Sequence, residues 1–363
     1  MEKDKEMPIH APIKIGISMG DSNGIGPEII MKALQDQRIL LDCTPVIYGS
    51  SKVFSFHKKE LKDLEFNFNT CKTPQDIQAK KINFIHVHQD EFIVELGKPT
   101  SESGKLAFLS LEHATKDLAS GVIDVLVTAP ISKDAMNKSG FQFPGHTEYL
   151  ADMAGTEALM VLCSDALRVA LATIHIPLKE VATALTKELI VEKIRVFENS
   201  LTKDFGLHKP KIAVLGLNPH AGENGKIGEE EKNIIEPAIQ QVRNEGILAF
   251  GPYPADGLFG SKLRAEFDGI LAMYHDQGLT GFKALAFEDG VNFTAGLPVI
   301  RTSPDHGTAY DIAGQDKASP NSFRESLYLA MDIHRNRKLH KEINANKLVI
   351  EKSAVKKTEN KIQ

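Results

Sequence analysis

Val169-Ala170-Leu171-Ala172-Thr173-Ile174-His175, Ile212-Ala213-Val214-Leu215-Gly216-Leu217-Asn218-Pro219-His220 and Gly269-Ile270-Leu271-Ala272-Met273-Tyr274-His275 are three apolar runs that each end in a histidine. Short runs of this kind read as buried strands. In an open α/β sheet, ligands gather outside the carboxyl ends of the strands. Three imidazoles delivered to one such edge would hold a divalent cation and leave coordination positions open for a substrate. Zinc, cobalt and manganese all suit such a set. The bland alternative is that each ring is a surface or satisfied core histidine, as most of the 13 in the chain must be. Recurrence at three matching positions favours the site and points to catalysis.

Working outward, short β-rich runs alternate with helical patterns, which predicts an α/β fold with a largely parallel sheet. Ile13 to Met19 reads as the first strand, followed by the loop Gly20 to Glu28 and a helix over Ile29 to Gln37, with Pro27 in the first helical position. Pro45 to Gly49, Ile82 to Val87 and Val122 to Thr128 read as further strands, and Lys58 to Lys81 as a polar peripheral stretch. Helical spacing marks Ser103 to Ser120, Lys187 to Leu201, Glu229 to Asn244 and Ser319 to Arg335. Another helix is expected near His146, with Thr147 as its cap. From about Lys341 the composition turns Lys-, Asn- and Glu-rich, which predicts a flexible tail over 341–363.

At 363 residues the chain suits two packed lobes rather than one core. A formal net charge of -5 argues against a nucleic-acid or anionic-membrane partner. No apolar run approaches the roughly 20 residues needed to span a bilayer. The charged start, Met1 to Glu6, is unlike a secretory signal. Cys43, Cys71 and Cys163 are scattered, with no CxxC pair, so thiolate zinc fingers are excluded and a reducing cytoplasm is expected.

Three other stretches carry chemistry. Gly290 to Gly314 concentrates small and polar residues, where a plain turn would need one or two. Within it Gly307 would let a ligand approach the backbone, and a helix starting at Thr308-Ala309 would offer free N–H groups to an anion. Lys283, eight residues past His275, and Arg301, at the end of an apolar run, could pair with phosphate or carboxylate; most such cations are merely solvated. Gly20 to Glu28 is either a phosphate cradle or a tight strand-to-helix connection, since it matches neither GxGxxG nor a Walker loop.

Together these stretches resemble the 4-hydroxythreonine-4-phosphate dehydrogenase family of pyridoxal 5'-phosphate biosynthesis. The resemblance rests on Gly20 to Glu28, Thr128 to Lys133, Gly145-His146-Thr147-Glu148, Asn218-Pro219-His220-Ala221-Gly222-Glu223, Gly251 to Phe259, Met273 to Gly278 and Gly290 to Gly314, covering Ile13 to Phe323. The first loop and His306 to Gly314 also look like the wider isocitrate/isopropylmalate dehydrogenase superfamily. The implied fold is two-lobed α/β/α and isopropylmalate dehydrogenase-like, with a cleft between the lobes. By that analogy 13–130 with 285–340 form one lobe, and 131–284 form the other, carrying the metal ligands and the dimer interface.

The resemblance implies residue roles as well. His175, His220 and His275 match metal ligands in a site shared across a homodimer, with magnesium added to the candidate ions. His146, Thr147, Lys283, Asn292 and Arg301 match substrate-binding positions. His306, Gly307, Thr308 and Ala309 fall where the adenosine half of NAD or NADP lies. Asp256, in Pro254-Ala255-Asp256-Gly257-Leu258-Phe259, falls near the active site, so Lys283, Asp256 and a bound hydroxide are candidate bases. The implied reaction is oxidation of 4-phosphooxy-L-threonine at C3, then decarboxylation to 3-amino-2-oxopropyl phosphate. Ser22-Asn23, Thr280-Gly281 and Ala295 depart from the commonest pattern without removing a ligand or cation. The rivals are a dehydrogenase of 4-phosphothreonate or 4-phosphoerythronate, a phosphate acyltransferase in another reaction class, and a non-catalytic metal-binding or scaffold protein.

Overall fold

The first strand, β1 (Ile13–Ser18), is an apolar run buried on both faces, which is the pattern of a central parallel strand. A computed structural model describes residues 12–62, 64–88 and 92–345. It adds β2 (Cys43–Gly49), β3 (Asn69–Cys71), β4 (Asn83–His86), β5 (Val125–Thr128), β6 (Leu159–Cys163), β7 (Arg168–Leu171), β8 (Lys211–Leu215), β9 (Leu248–Tyr253), β10 (Gly269–Ala272), β11 (Val291–Ala295) and β12 (Arg301–Pro304). All twelve join one sheet in the order β3-β4-β2-β1-β5-β12-β11-β6-β7-β10-β8-β9. The α/β class is as the sequence predicts.

The sheet is parallel on both flanks but not in the middle. β11 pairs antiparallel with both β12 and β6, and β6 pairs antiparallel with β7. Three reversals in succession leave β7, β10, β8 and β9 running opposite to β1, β2, β4, β5 and β12. The carboxyl ends of the two flanks therefore lie at opposite edges. The three histidine-bearing strands, being mutually parallel, still deliver their ends to one edge.

Core packing follows the pleat. On β6, β7, β8 and β10, Val161, Ala170, Ile212, Val214 and Leu271 join one apolar cluster with Ile190, Ile194 and Phe197 of the helix Lys187–Lys203. Their neighbours Leu162, Val169, Leu171, Ala213, Leu215 and Ile270 join another with Leu258 and Phe282. Side chains of alternate residues leave opposite faces of a strand, so this half of the sheet is covered on both sides.

Several element boundaries differ from the sequence reading. Glu229 to Asn244 divides into a π-turn, Glu231–Ile235, and a helix, Glu236–Asn244, with Pro237 in the first turn, where its missing N–H is harmless. The last helix runs Asn321–Ala345, past Arg335 and into the stretch expected to be flexible. Its apolar side packs through Phe323, Leu327, Ala330 and Ile333, all buried, and the polar end simply extends the same turns. The remainder of the expected tail, 346–363, lies outside the described residues. No helix among the described residues is long and apolar enough to cross a membrane.

Candidate active site

The antiparallel centre of the sheet is where a site forms. Directly opposed residues on antiparallel strands share a face, and the registers pair Asn292 with Ser303 and Thr294 with Met160. Arg301, two residues before Ser303, emerges on that same face. A cavity of about 210 Å³ lies over it. Thr128 to Ile131, just past β5, close it from one flank, and Ile174-His175, just past β7, from the other. His146, Thr147, Lys133, His306 and Gly307 also line it, and so does one carboxylate, that of Glu148.

Arg301 is the dominant charge. Its residue is only 3% exposed, yet no carboxylate touches it. Nε and Nη2 donate to Thr128 Oγ1 at 3.0 and 2.7 Å, Nη1 donates to Thr294 Oγ1 at 3.3 Å, and Nη2 donates to His146 Nδ1 at 3.1 Å. A guanidinium has five N–H groups, so these four contacts leave one uncommitted. Burial pulls its pKa below the ordinary arginine value, and the nearby Glu148 charge partly opposes that. A buried cation held only by neutral groups is costly. An incoming anion would relieve it.

The groups around Arg301 are equally unfinished. Because a guanidinium can only donate, His146 accepts at Nδ1 and carries its proton on Nε2. That Nε2 is buried and has no partner among the described residues. Burial, with Arg301 and Lys133 nearby, drives the His146 pKa well below 6.5, so the ring is neutral. Asn292 Oδ1 and His306 Nε2 are likewise buried and unpartnered. His306 Nδ1 lies 3.1 Å from the Gly307 carbonyl and must donate to it, which leaves Nε2 as an acceptor. The helix His146–Ala154 starts at Gly145 with no side-chain cap, so its first N–H groups stay available. Gly145 is the cap, not Thr147; the extended Gly145 backbone is the half-in position and Thr147 is already inside the helix.

The histidines stand at the edge of this cavity in unequal states. β7, β8 and β10 stop at Leu171, Leu215 and Ala272, so all three rings lie beyond the strands: His175 on a connection, His220 in the turn Pro219–Gly225 and His275 at the first residue of the helix His275–Leu285. His175 and His275 have ring centroids 6.0 Å apart. His175 Nδ1 lies 3.2 Å from Glu148 Oε1, and His275 Nδ1 lies 2.7 Å from Asp276 Oδ1. Carboxylates accepting at Nδ1 leave each Nε2 with its lone pair, the arrangement that supports metal-ligating imidazole. His220 is exposed and makes no hydrogen bond among the described residues. It opens a run of left-handed residues, His220 to Asn224, with φ of 53, 49, 77, 43 and 59°. Among the described residues no group of three or more His, Cys, Asp or Glu side chains is assembled around a common point. The donor pair fits a divalent cation, and within one chain the third imidazole stands apart.

Sequence reasoning missed what holds these rings. Glu231, only 3% exposed, accepts from the Leu217 and Asn218 N–H groups at 2.8 and 2.7 Å and from Asn218 Nδ2 at 3.0 Å. A Cβ on Gly222 would lie 2.5 Å from its Oε2, so the His220 loop is moulded around this carboxylate. Gln277 accepts from Met273 N and donates to Gly216 O, both at 2.7 Å, tying the β10 end to the β8 end. Three consecutive glutamates, Glu229 to Glu231, carry no local signal that singles out the third.

The other expected site residues are more scattered. Lys283 Nζ donates to the Asp305 carbonyl at 3.2 Å and lies 3.6 Å from its carboxylate, beside the cavity rather than in its wall. Burial raises the Asp305 pKa while Lys283 and His275 lower it. Asp256 is exposed on the short helix Ala255–Phe259. No helix starts at Thr308-Ala309: Ala309 is left-handed at φ 43°, and only the turn Tyr310–Ile312 follows. The Thr308 carbonyl instead accepts from Ile25 N at 3.0 Å. This settles the Gly20 to Glu28 loop as a tight connection, not an open cradle. It is buried throughout, and Asp21 is consumed by Asn23 N, Ser103 and Tyr310.

The fold and the cavity are those of an α/β protein with a buried guanidinium and unpartnered polar atoms beside two neighbouring imidazoles. The family model for pyridoxal phosphate biosynthetic protein PdxA matches residues 41–330. The 4-hydroxythreonine-4-phosphate dehydrogenase of Bacteroides thetaiotaomicron is 51% identical over 338 residues, 93% of each chain. That of a Sulfurihydrogenibium species is 45% identical, covering 90% of this chain and 100% of its own. The crystal structure of the Klebsiella pneumoniae 4-hydroxythreonine-4-phosphate dehydrogenase aligns with a TM-score of 0.76 and 36% identity, over 89% of this chain and 99% of that one. The chain belongs to the PdxA family, as its motifs led one to expect, and is an oxidoreductase of the dehydrogenase type.

Proposed function

We propose that the chain oxidises 4-phosphooxy-L-threonine at C3 with NAD or NADP, giving 2-amino-3-oxo-4-(phosphooxy)butanoate and the reduced cofactor. This β-keto acid then loses CO₂ to give 3-amino-2-oxopropyl phosphate, a precursor of pyridoxine 5'-phosphate. The observation that carries the reading is Arg301, a buried guanidinium with no carboxylate in contact with it among the described residues, beside the orphaned His146 Nε2 and Asn292 Oδ1. The donors suit a phosphate ester, with Arg301, His146 and Thr147 binding it and the uncapped helix start adding N–H groups, while Asn292 Oδ1 would accept from a hydroxyl or ammonium group of the same substrate.

His175, His220 and His275 would hold one divalent cation, zinc, magnesium, cobalt or manganese. Such an ion, when bound, acts as a Lewis acid toward the C3 hydroxyl and toward the charge that develops as CO₂ leaves. The dinucleotide supplies hydride acceptance at C3. Gly307 suits its approach, because a Cβ there would meet nothing within 4 Å. Lys283, tethered to Asp305, would exchange the hydroxyl proton, and Asp256 is the second candidate for that role. The isolation of His220 fits a site completed by a second copy of the chain. Ile176 and Leu178 beside His175 are 37% and 71% exposed, as a homodimer contact would require. A cytoplasmic homodimer of two lobes is the proposed assembly.

Purified protein with added metal should reduce NAD or NADP with 4-phosphooxy-L-threonine much faster than with 4-phosphothreonate or 4-phosphoerythronate. Preference for either acid phosphate would reassign the substrate. Acyl phosphate formation without reduced cofactor would remove the dehydrogenase reading altogether.

A further inference from the structure

Glu148 belongs to both halves of the site. It lies in the first turn of the helix His146–Ala154, one residue beyond Thr147 in the cavity wall. Its Oε1 reaches His175 Nδ1 at 3.2 Å, and its charge is the one that offsets the burial of Arg301. The contact with His175 holds its own pKa down. Gly145 is shaped to it: a Cβ there would lie 3.1 Å from Glu148 Oε2.

We propose that Glu148 is a positioning residue that couples the anion cavity to the histidine edge, orienting His175 for a divalent cation while opposing anions beside Arg301. The proposal rests on the metal and phosphate roles argued above. The His175 side chain is 43% exposed. Unpartnered, such a ring would rotate and sample both tautomers; accepting its Nδ1–H fixes the lone pair on Nε2. The same carboxylate sits at a helix N-terminus, where it competes with a bound anion for the positive end of the dipole. One group thus favours one ligand and disfavours the other.

Glu148→Gln keeps the shape and removes the charge. Binding of cobalt(II) alone and of inorganic phosphate alone would be measured by calorimetry on metal-stripped protein. The cobalt dissociation constant should rise about 10- to 100-fold. That for phosphate should fall about two- to fivefold. A merely structural lesion would weaken both, so opposite signs are the signature. Unchanged cobalt affinity, or phosphate affinity that stays the same or drops, would overturn the proposal. Wild-type protein that binds no cobalt would instead overturn the metal reading beneath it, and this proposal with it.

Discussion

The anion cavity and the histidine edge adjoin, yet they are built in opposite ways. Arg301, Thr128, Thr294 and His146 are buried, mutually hydrogen-bonded and supplied by one chain. His175, His220 and His275 are at least partly exposed and lie beyond the ends of their strands, and among them only His175 and His275 bring their rings together. The cavity stores the cost of a desolvated charge in the fold, a cost that the proposed phosphate would relieve. On the same proposal the histidine edge would take its final geometry from a cation and a second subunit. Preorganisation would then be uneven across one active site.

The sharpest way to break this contrast is His220→Ala. An exposed ring with no partners should leave the melting temperature unchanged while turnover falls by about 1,000-fold or more, read by steady-state kinetics with metal present. Full activity after chelation and dialysis would sink the metal role. Arg301→Met should cost kcat/KM about 100-fold. It should also abolish the thermal stabilisation that inorganic phosphate gives the wild type, a shift worth about 2.7 kcal/mol at 100 times Kd. A persisting phosphate shift would place the anion elsewhere. Glu231→Gln replaces the carboxylate under the His220 loop and should cost about 2 kcal/mol in denaturant unfolding, with metal affinity about 10-fold weaker. Loss of stability without loss of metal affinity would make Glu231 purely structural.

The smallest expected effect concerns pH. The His146 pKa lies below 6.5 in the folded chain. Unfolded chains bind a proton there that folded chains refuse, so stability falls as pH drops beneath 6.5. The slope should be about 1.4 kcal/mol per pH unit from this group. His146→Gln, in phosphate-free buffer, should flatten the pH dependence by that amount. An unaltered slope would mean that the buried ring titrates normally.

Much of this was legible in the sequence, for reasons that differ by region. Apolar runs such as Ile13 to Ser18 and Gly269 to Ala272 announce strands because burial on both faces admits little else. Arg301, His146, Thr147 and Asn292 reach one cavity, a convergence that the family motifs implied and local periodicity could not. The antiparallel centre was not legible. Neither the apolar run Leu159 to Cys163 nor the alternating Val291 to Ala295 reveals its direction, which is set by long-range pairing. Thr308-Ala309 misled because the Gly-rich stretch resembles a helix entry, whereas the Ile25 N–H claims the Thr308 carbonyl and Ala309 turns left-handed. The helix end at Ala345 escaped because polar residues extend a helix without leaving an apolar stripe to follow.

The most direct test is a crystal structure of the protein with zinc and 4-phosphooxy-L-threonine, located by anomalous scattering. The phosphate should lie against Arg301 and His146, with zinc on His175, His275 and a His220. A phosphate bound away from Arg301, or zinc absent from all three rings, would contradict the division of labour argued for these two regions.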